Sequence, residues 1–267
     1  MRFLRFLAEK NLGVAIPLMV PLHGRTDYIL NYQGKSLLIF KRVPGRSLLF
    51  QGFGADHLAQ VGTWLAKFHL ASSEFTQIIP NRFDLPCLRT LFEKAQPILL
   101  LREQGSLQPF VLGLQEEFAF QEKHLKLWDQ IPRGVTHGDV FPDNLMFEGD
   151  TLASVLDFDS ASTTPLLFDL ATAFHALGFK GQAFLIDRCQ AFLSAYETIR
   201  PLENAEKTHF NLIMRFSALR FTMTRIKDFY LREAGESGLI DRDFRDFYRR
   251  LEFVRNLGDQ NFLDLLK

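Results

Sequence analysis

Between Ala55 and Ala71 the apolar residues Leu58, Val61, Leu65 and Phe68 recur at three- and four-residue intervals, which places them on one face of a helix. The same period predicts helices over about 87–104, 109–129, 167–178, 181–199, 205–231 and 242–256. Near the start, Phe3, Leu4, Leu7 and Leu12 predict a short helix ending near Gly13. Two regions break this period. Thr26 to Tyr32 and Ser36 to Phe40 are β-rich and flank Gln33-Gly34-Lys35, which predicts a hairpin, and Pro44-Gly45 punctuates the chain behind it. Val135 to His137, Leu145 to Phe147 and Ser154 to Leu156 are short apolar runs separated by a His-Gly-Asp loop and by Glu148-Gly149-Asp150, and they predict strands. The chain carries no internal repeat and no low-complexity segment.

The His-Gly-Asp loop falls between the first two of these strands, and its polar residues suit one kind of chemistry. Phosphoryl transfer to an alcohol needs a carboxylate that orients the hydroxyl and takes its proton, and hard oxygen ligands that hold magnesium against the phosphates. Asp139 is the candidate base. Asn144, across a loop stiffened by Pro142, and Asp157, at the end of the next hairpin, are the candidate metal ligands. His137 and Asp139 share a face of an extended segment, so His137 is expected to brace the loop through backbone and to move no proton. A His-x-Asp-x4-Asn spacing is expected only about 0.01 times by chance in a chain of this composition. The competing reading is an Asp-rich turn that caps local backbone.

These residues resemble the kinases that share the aminoglycoside phosphotransferase and choline kinase fold, which are related to protein kinases. His137-Gly138-Asp139 through Asn144 is similar to their catalytic loop, and Val155-Leu156-Asp157-Phe158 to their second metal motif. Phe168-Asp169-Leu170-Ala171 resembles the helix start that follows, where the aspartate, here Asp169, has a structural role. Val61 to His69 resembles the helix that crosses after the nucleotide hinge. The closest resemblance within this group is to the bacterial homoserine kinases of the same fold, carried by Phe141, by Asn144-Leu145-Met146-Phe147 and by Ser217-Ala218-Leu219-Arg220-Phe221 with Thr224-Arg225.

The resemblance implies an α+β, protein-kinase-like two-lobe fold, with ATP as phosphoryl donor, Mg2+ as cofactor and a small-molecule substrate, L-homoserine, phosphorylated on its hydroxyl. A zwitterionic acceptor needs a cation for its carboxylate, and Arg220 is the candidate; Arg215 points about 140° away from it around the same helix. The hinge is expected at Leu37 to Gly45, with adenine contacts through backbone near Lys41 and Val43. Phosphorylation of choline or an aminoglycoside keeps the mechanism and changes the acceptor. The basic stretch from Met214 to Arg225 disfavours such cationic acceptors, which need acidic or aromatic pockets. An inactive or truncated relative kept as a binding protein is the alternative of a different class.

The family fold also places, ahead of its first long helix, a hairpin over the phosphates and a strand lysine paired with a helix glutamate. This chain opens at what resembles that helix, so the expected division is a partial, truncated N-terminal lobe over 1–46 and a mainly helical catalytic lobe over 47–267. Gly52-x-Gly54 is too short and too late to cover phosphates, Lys35 and Lys41 read as edge lysines, and Glu9 matches no pairing position. Met1 is either the native start or is preceded by an upstream segment; both stay open. A two-stranded hairpin is marginal alone and is expected to lean on the larger lobe, and its unpaired edge suits a homo-oligomer.

Composition narrows the partners. The 267 residues are 47% hydrophobic with 28 Phe, enough for a large core. Lysine plus arginine equals aspartate plus glutamate at 31 each, so no global field recruits nucleic acid or an anionic membrane. Cys87 and Cys189 form no CxxC spacing, which argues against a disulfide framework or zinc site and fits a reducing cytoplasm. Glu9, Lys10 and Asn11 interrupt the N-terminal apolar run, and no other segment approaches the roughly 20 apolar residues that span a bilayer.

Overall fold

In the computed structural model, which describes residues 2–22, 28–48, 52–231 and 243–267, the chain opens with α1 (Arg2–Ala8). A hairpin of β1 (Leu30–Tyr32) and β2 (Lys35–Leu37) follows. Gln33 and Gly34 form its two-residue turn at φ 49 and 75, the left-handed pair that matches the twist of the strands. Lys35, expected in the turn, is the first residue of β2; Thr26 and Asp27 lie outside the described residues. After the hairpin the chain stays extended. Val20 N–H donates to Ile39 O at 2.8 Å and Lys41 N–H to Leu18 O at 2.7 Å, while Ala15 pairs with Ser154. The N-terminal region therefore leans on the larger lobe through backbone, and through Phe3, whose ring meets Phe68 and Phe75 edge-on. Leu30, Tyr32, Leu37 and Ile39 of the hairpin region remain exposed.

The chain continues with β3 (Arg46–Ser47), α2 (Ala55–Ser72), α3 (Leu85–Leu101) and α4 (Gln108–His124). Gly54 is the N-cap of α2, so the Gly52-x-Gly54 pair starts a helix. Asp84 caps α3 by accepting from Cys87 N–H at 2.9 Å. Next come β4 (Arg133–Thr136), β5 (Leu145–Glu148), β6 (Thr151–Val155) and β7 (Ser162–Pro165). β5 lies between β3 and β6, and β4 pairs with β7, all antiparallel. The predicted strand at Val135 to His137 shifts back to β4. Its partner β7 escapes the apolar pattern because Ser-Thr-Thr-Pro alternates nothing hydrophobic; Thr136 and Thr164 instead share a buried hydroxyl contact of 2.7 Å.

The rest is helical apart from one small hairpin: α5 (Leu167–Leu177), β8 (Phe179–Lys180), β9 (Ala183–Phe184), α6 (Ile186–Ile199), α7 (Asn204–Thr208), α8 (Phe210–Tyr230) and α9 (Phe244–Asn256). The predicted helix over 181–199 begins only at Ile186, because Gly181 at φ 60 turns the chain between β8 and β9. The predicted helix over 205–231 divides at His209, whose ψ of 17° interrupts it. Against α2, helix α6 approaches so closely that a Cβ at Gly62 would lie 2.2 Å from the Phe192 carbonyl oxygen. Phe141, Phe221 and Phe247 join loop, α8 and α9 in the core. Cys87 and Cys189 are both free, and among the described residues no helix is long and apolar enough to cross a membrane.

Candidate active site

Strand pairing sets the site. Because β4 pairs with β7 and β5 with β6, the loop at 137–144 and the loop at 156–161 leave the sheets side by side. Leu156 N–H donates to Asn144 O at 2.9 Å and joins them. His137 reinforces the junction: its Nε2 lies 2.8 Å from Leu156 O, and Asp139 N–H donates to its Nδ1 at 3.2 Å. A carbonyl can only accept, so the ring proton sits on Nε2 and Nδ1 is the acceptor. His137 is committed on both nitrogens to backbone.

Asp169, at the start of α5, fixes the same loop from beneath. Its carboxylate accepts His137 N–H and Gly138 N–H, each at 2.7 Å, and meets His69 Nε2 at 3.0 Å. Gly138 sits at φ 78, and a Cβ there would approach Ser160 O to 2.6 Å. Only glycine fits this bend without displacing the second loop.

On that frame Asp139 presents its carboxylate. Asn144 Nδ2 donates to Asp139 Oδ2 at 3.0 Å and to Asp139 O at 2.8 Å. From α8, Arg220 reaches across with Nη1 3.9 Å from Asp139 Oδ1 and Nη2 3.4 Å from Ser160 Oγ. Its guanidinium stacks over Phe221 at 3.8 Å and faces Phe83 at 4.9 Å. Burial raises the pKa of Asp139, and the charge of Asp157 raises it further, while Arg220, His137 and the Asn144 hydrogen bond oppose that rise. Burial likewise lowers Arg220 to about 10, with Asp139 opposing.

Asp157 stands on the second loop at φ 58, an uncommon left-handed conformation for a residue with a side chain. Its Oδ1 accepts Asp159 N–H at 3.2 Å, which leaves the other oxygen for a ligand. Asp157 lines a cleft of 960 Å³, walled by Met19, Leu38, Phe40, Met146 and Phe158. That volume and apolar lining suit a nucleotide-sized molecule. Lys41 and Val43 lie on its rim. Lys41 N–H is already bonded to Leu18 O, so among the groups expected to meet adenine its carbonyl and those of Val43 remain.

The predicted residues therefore come together in two clusters. Asn144 and Arg220 both meet Asp139, and Asp157 with Lys41 and Val43 lines the adjoining cleft. Arg215 is elsewhere, bonded to the buried Glu117 at 2.6 Å and stacked on Phe120, as the helical angle between the two arginines requires. Ser160 and Phe83, which shape the surroundings of Arg220, carry no signal in the sequence pattern. The contribution of His69 was legible only as the last residue of the Val61 to His69 stretch within α2.

Residues 1–202 match the model of the Phosphotransferase enzyme family. The chain belongs to that family. Among relatives of this phosphotransferase, a homoserine kinase from Rhodopseudomonas palustris strain HaA2 is 35% identical over 242 residues, covering 89% of this chain and 67% of the relative. One from Mesorhizobium japonicum is 33% identical over 248 residues, covering 92% of this chain and 74% of the relative. In three dimensions the phosphotransferase resembles amicoumacin kinase in complex with AMP-PNP and Ca2+, with a TM-score of 0.66 at 13% identity over 96% of this chain and 75% of that one. This last likeness establishes the kinase-like α+β fold.

Proposed function

We propose that the protein is an ATP-dependent kinase that transfers the γ-phosphoryl group to the hydroxyl of L-homoserine. The observation that carries the reading is the 3.9 Å approach of Arg220 to Asp139 beside the nucleotide-sized cleft. A guanidinium and a candidate base at that separation can serve the two ends of one small amino acid, with the carboxylate on Arg220 and the hydroxyl on Asp139. The identity of 33% and 35% to homoserine kinases supports the choice of acceptor.

In this reading Asp139 accepts the hydroxyl proton as the oxygen attacks the γ-phosphorus and ADP departs. Burial raises the pKa of that carboxylate, and Arg220, His137 and the Asn144 hydrogen bond oppose the rise. Asn144 Oδ1 and the unbonded oxygen of Asp157 are the metal ligands. Among the described residues no group of three or more His, Cys, Asp or Glu could hold a metal by itself. Two hard oxygens with room for water and phosphate fit Mg2+ arriving with its nucleotide better than a resident metal. When bound, Mg2+ neutralises charge on the β- and γ-phosphates. The adenine lies against the apolar wall with backbone groups of Lys41 and Val43 at its edge.

A second reading, nucleotide binding without transfer, is favoured by one observation: among the described residues Lys41 is the only lysine lining the cleft, and it stands at the hinge. ATP consumption measured with homoserine, choline and an aminoglycoside separates the two. Turnover selective for homoserine supports the proposal; nucleotide binding by calorimetry with no turnover on any acceptor supports the second.

A further inference from the structure

Asp169 anchors the catalytic loop, and it is itself held by a buried chain of polar groups that runs away from the site. His69 on α2 meets Asp169 Oδ2 through Nε2 at 3.0 Å and the Tyr196 hydroxyl on α6 through Nδ1 at 2.7 Å. Arg200, one residue beyond α6, donates through Nη1 to the same hydroxyl at 3.0 Å and to Glu206 on α7 at 3.0 Å. His69, Asp169 and Glu206 are fully buried, and Tyr196 has no exposed surface.

Donor and acceptor roles propagate along this chain in one direction. Arg200 can only donate, so the Tyr196 oxygen accepts, and its single proton is free to point at His69. Asp169 can only accept, so the proton of His69 is on Nε2. Burial lowers the pKa of His69 and keeps the ring neutral, which makes Nδ1 an acceptor for the tyrosine hydroxyl. The alternative tautomer would turn the Nε2 lone pair toward the Asp169 carboxylate, which already holds the two backbone N–H groups of His137 and Gly138. In that state Asp169 loses one of its three donors.

We infer that Tyr196 is a positioning residue for phosphoryl transfer, donating to Nδ1 of His69 and so holding the ring in the place and Nε2–H tautomer through which Asp169 keeps the loop bearing Asp139 in place. Tyr196 touches neither cleft nor acceptor, so its effect falls on turnover and spares binding. Tyr196→Phe preserves the ring and removes only the hydroxyl.

The inference rests on the catalytic-loop reading and is independent of the choice of acceptor. In the 15N-labelled wild-type protein, ring 15N–1H correlations, assigned with His69→Gln, should show His69 protonated on Nε2 alone. Tyr196→Phe should leave Nδ1 without its donor, move the Nδ1 resonance toward that of an unbonded ring nitrogen and lower kcat about tenfold, with KM for ATP and acceptor within about twofold, the size expected from one lost buried hydrogen bond. Site-specific 3-fluorotyrosine at position 196, which keeps the hydroxyl and strengthens it as a donor, should move the His69 Nδ1 resonance whether or not Tyr196→Phe folds. An Nδ1–H ring in the wild type, an unmoved Nδ1 resonance with fluorotyrosine, or wild-type kcat in folded Tyr196→Phe would each overturn it. Lack of homoserine turnover in the wild type would count against the acceptor, and the ring measurements would still decide the role of Tyr196.

Discussion

The Arg220 guanidinium lies 3.9 Å from the Asp139 carboxylate and opposes the rise in its pKa that burial causes. Two charges from distant parts of the chain, one on a loop and one on α8, are thereby made interdependent. Removing Arg220 takes away the strongest influence opposing that rise, so Arg220→Met is expected to move the acid limb of the kcat profile to higher pH. It should also raise KM for homoserine about tenfold or more, the scale of a lost charge-assisted hydrogen bond. Rate profiles between pH 5 and 8 check both; an unmoved limb with unchanged KM would separate Arg220 from the site.

Asn144 and Asp157 should differ in their signatures. Asp157→Asn keeps a side chain that tolerates the left-handed backbone while removing charge, so magnesium-dependent ATP binding weakens and Asp139 titrates lower. Asn144→Ala also removes the hydrogen bond to Asp139, so it should lower kcat in addition to weakening metal-nucleotide binding. Calorimetry with and without Mg2+, alongside kcat, distinguishes them. Equal ATP affinity in both variants and the wild type would count against either as a metal ligand.

Gly138→Ala combines a left-handed backbone with a Cβ placed 2.6 Å from Ser160 O. The loops must separate to admit it. We expect kcat to fall about a hundredfold, the effect of a displacement near 1 Å at a reacting group. Circular dichroism should remain that of the wild type. Full activity in this variant would show that the bend does not position Asp139.

Burial holds His175 at about 3 against an ordinary value of 6.5, with its Nε2 bonded to Met214 O, and it lowers His69 as well. In the unfolded chain both rings take up protons near pH 6.5; in the folded chain His175 resists this until about pH 3, and His69 is shifted in the same direction. The unfolded state therefore binds more protons in this window, and the contribution of His175 to stability is full above about pH 6.5 and is lost as pH drops toward 3, by up to about 1 kcal/mol per pH unit, with His69 acting in the same direction. Urea unfolding at pH 7 and pH 5 should show the loss, and His175→Gln should lessen it. Equal stability of the wild type at the two pH values would refute the assignment.

Much of this was legible in the sequence because local pattern and local chemistry coincide there. The spacing of Leu58, Val61, Leu65 and Phe68 is the buried face of α2, and Gln33-Gly34 is the turn of the first hairpin. His137, Asp139 and Asn144 lie within one loop, so their relation is written in their spacing. What stayed hidden depends on contacts between distant segments. Strand β7 is held by hydroxyl pairs and the backbone of β4, which no hydrophobic alternation reports. Phe83 and Ser160 flank Arg220 only because α8 crosses the second loop, and Tyr196 reaches His69 only because Gly62 lets α6 press against α2.

The central claim is that Asp139 activates the hydroxyl of homoserine toward ATP. The most direct measurement is 31P NMR of the protein incubated with ATP, Mg2+ and L-homoserine, beside Asp139→Asn under the same conditions. In the wild type an O-phosphohomoserine resonance should grow in step with ADP, and none above background should appear for the folded variant. Phosphohomoserine formed at equal rates by both, or ATP bound by the wild type with no phosphoester appearing, would contradict it.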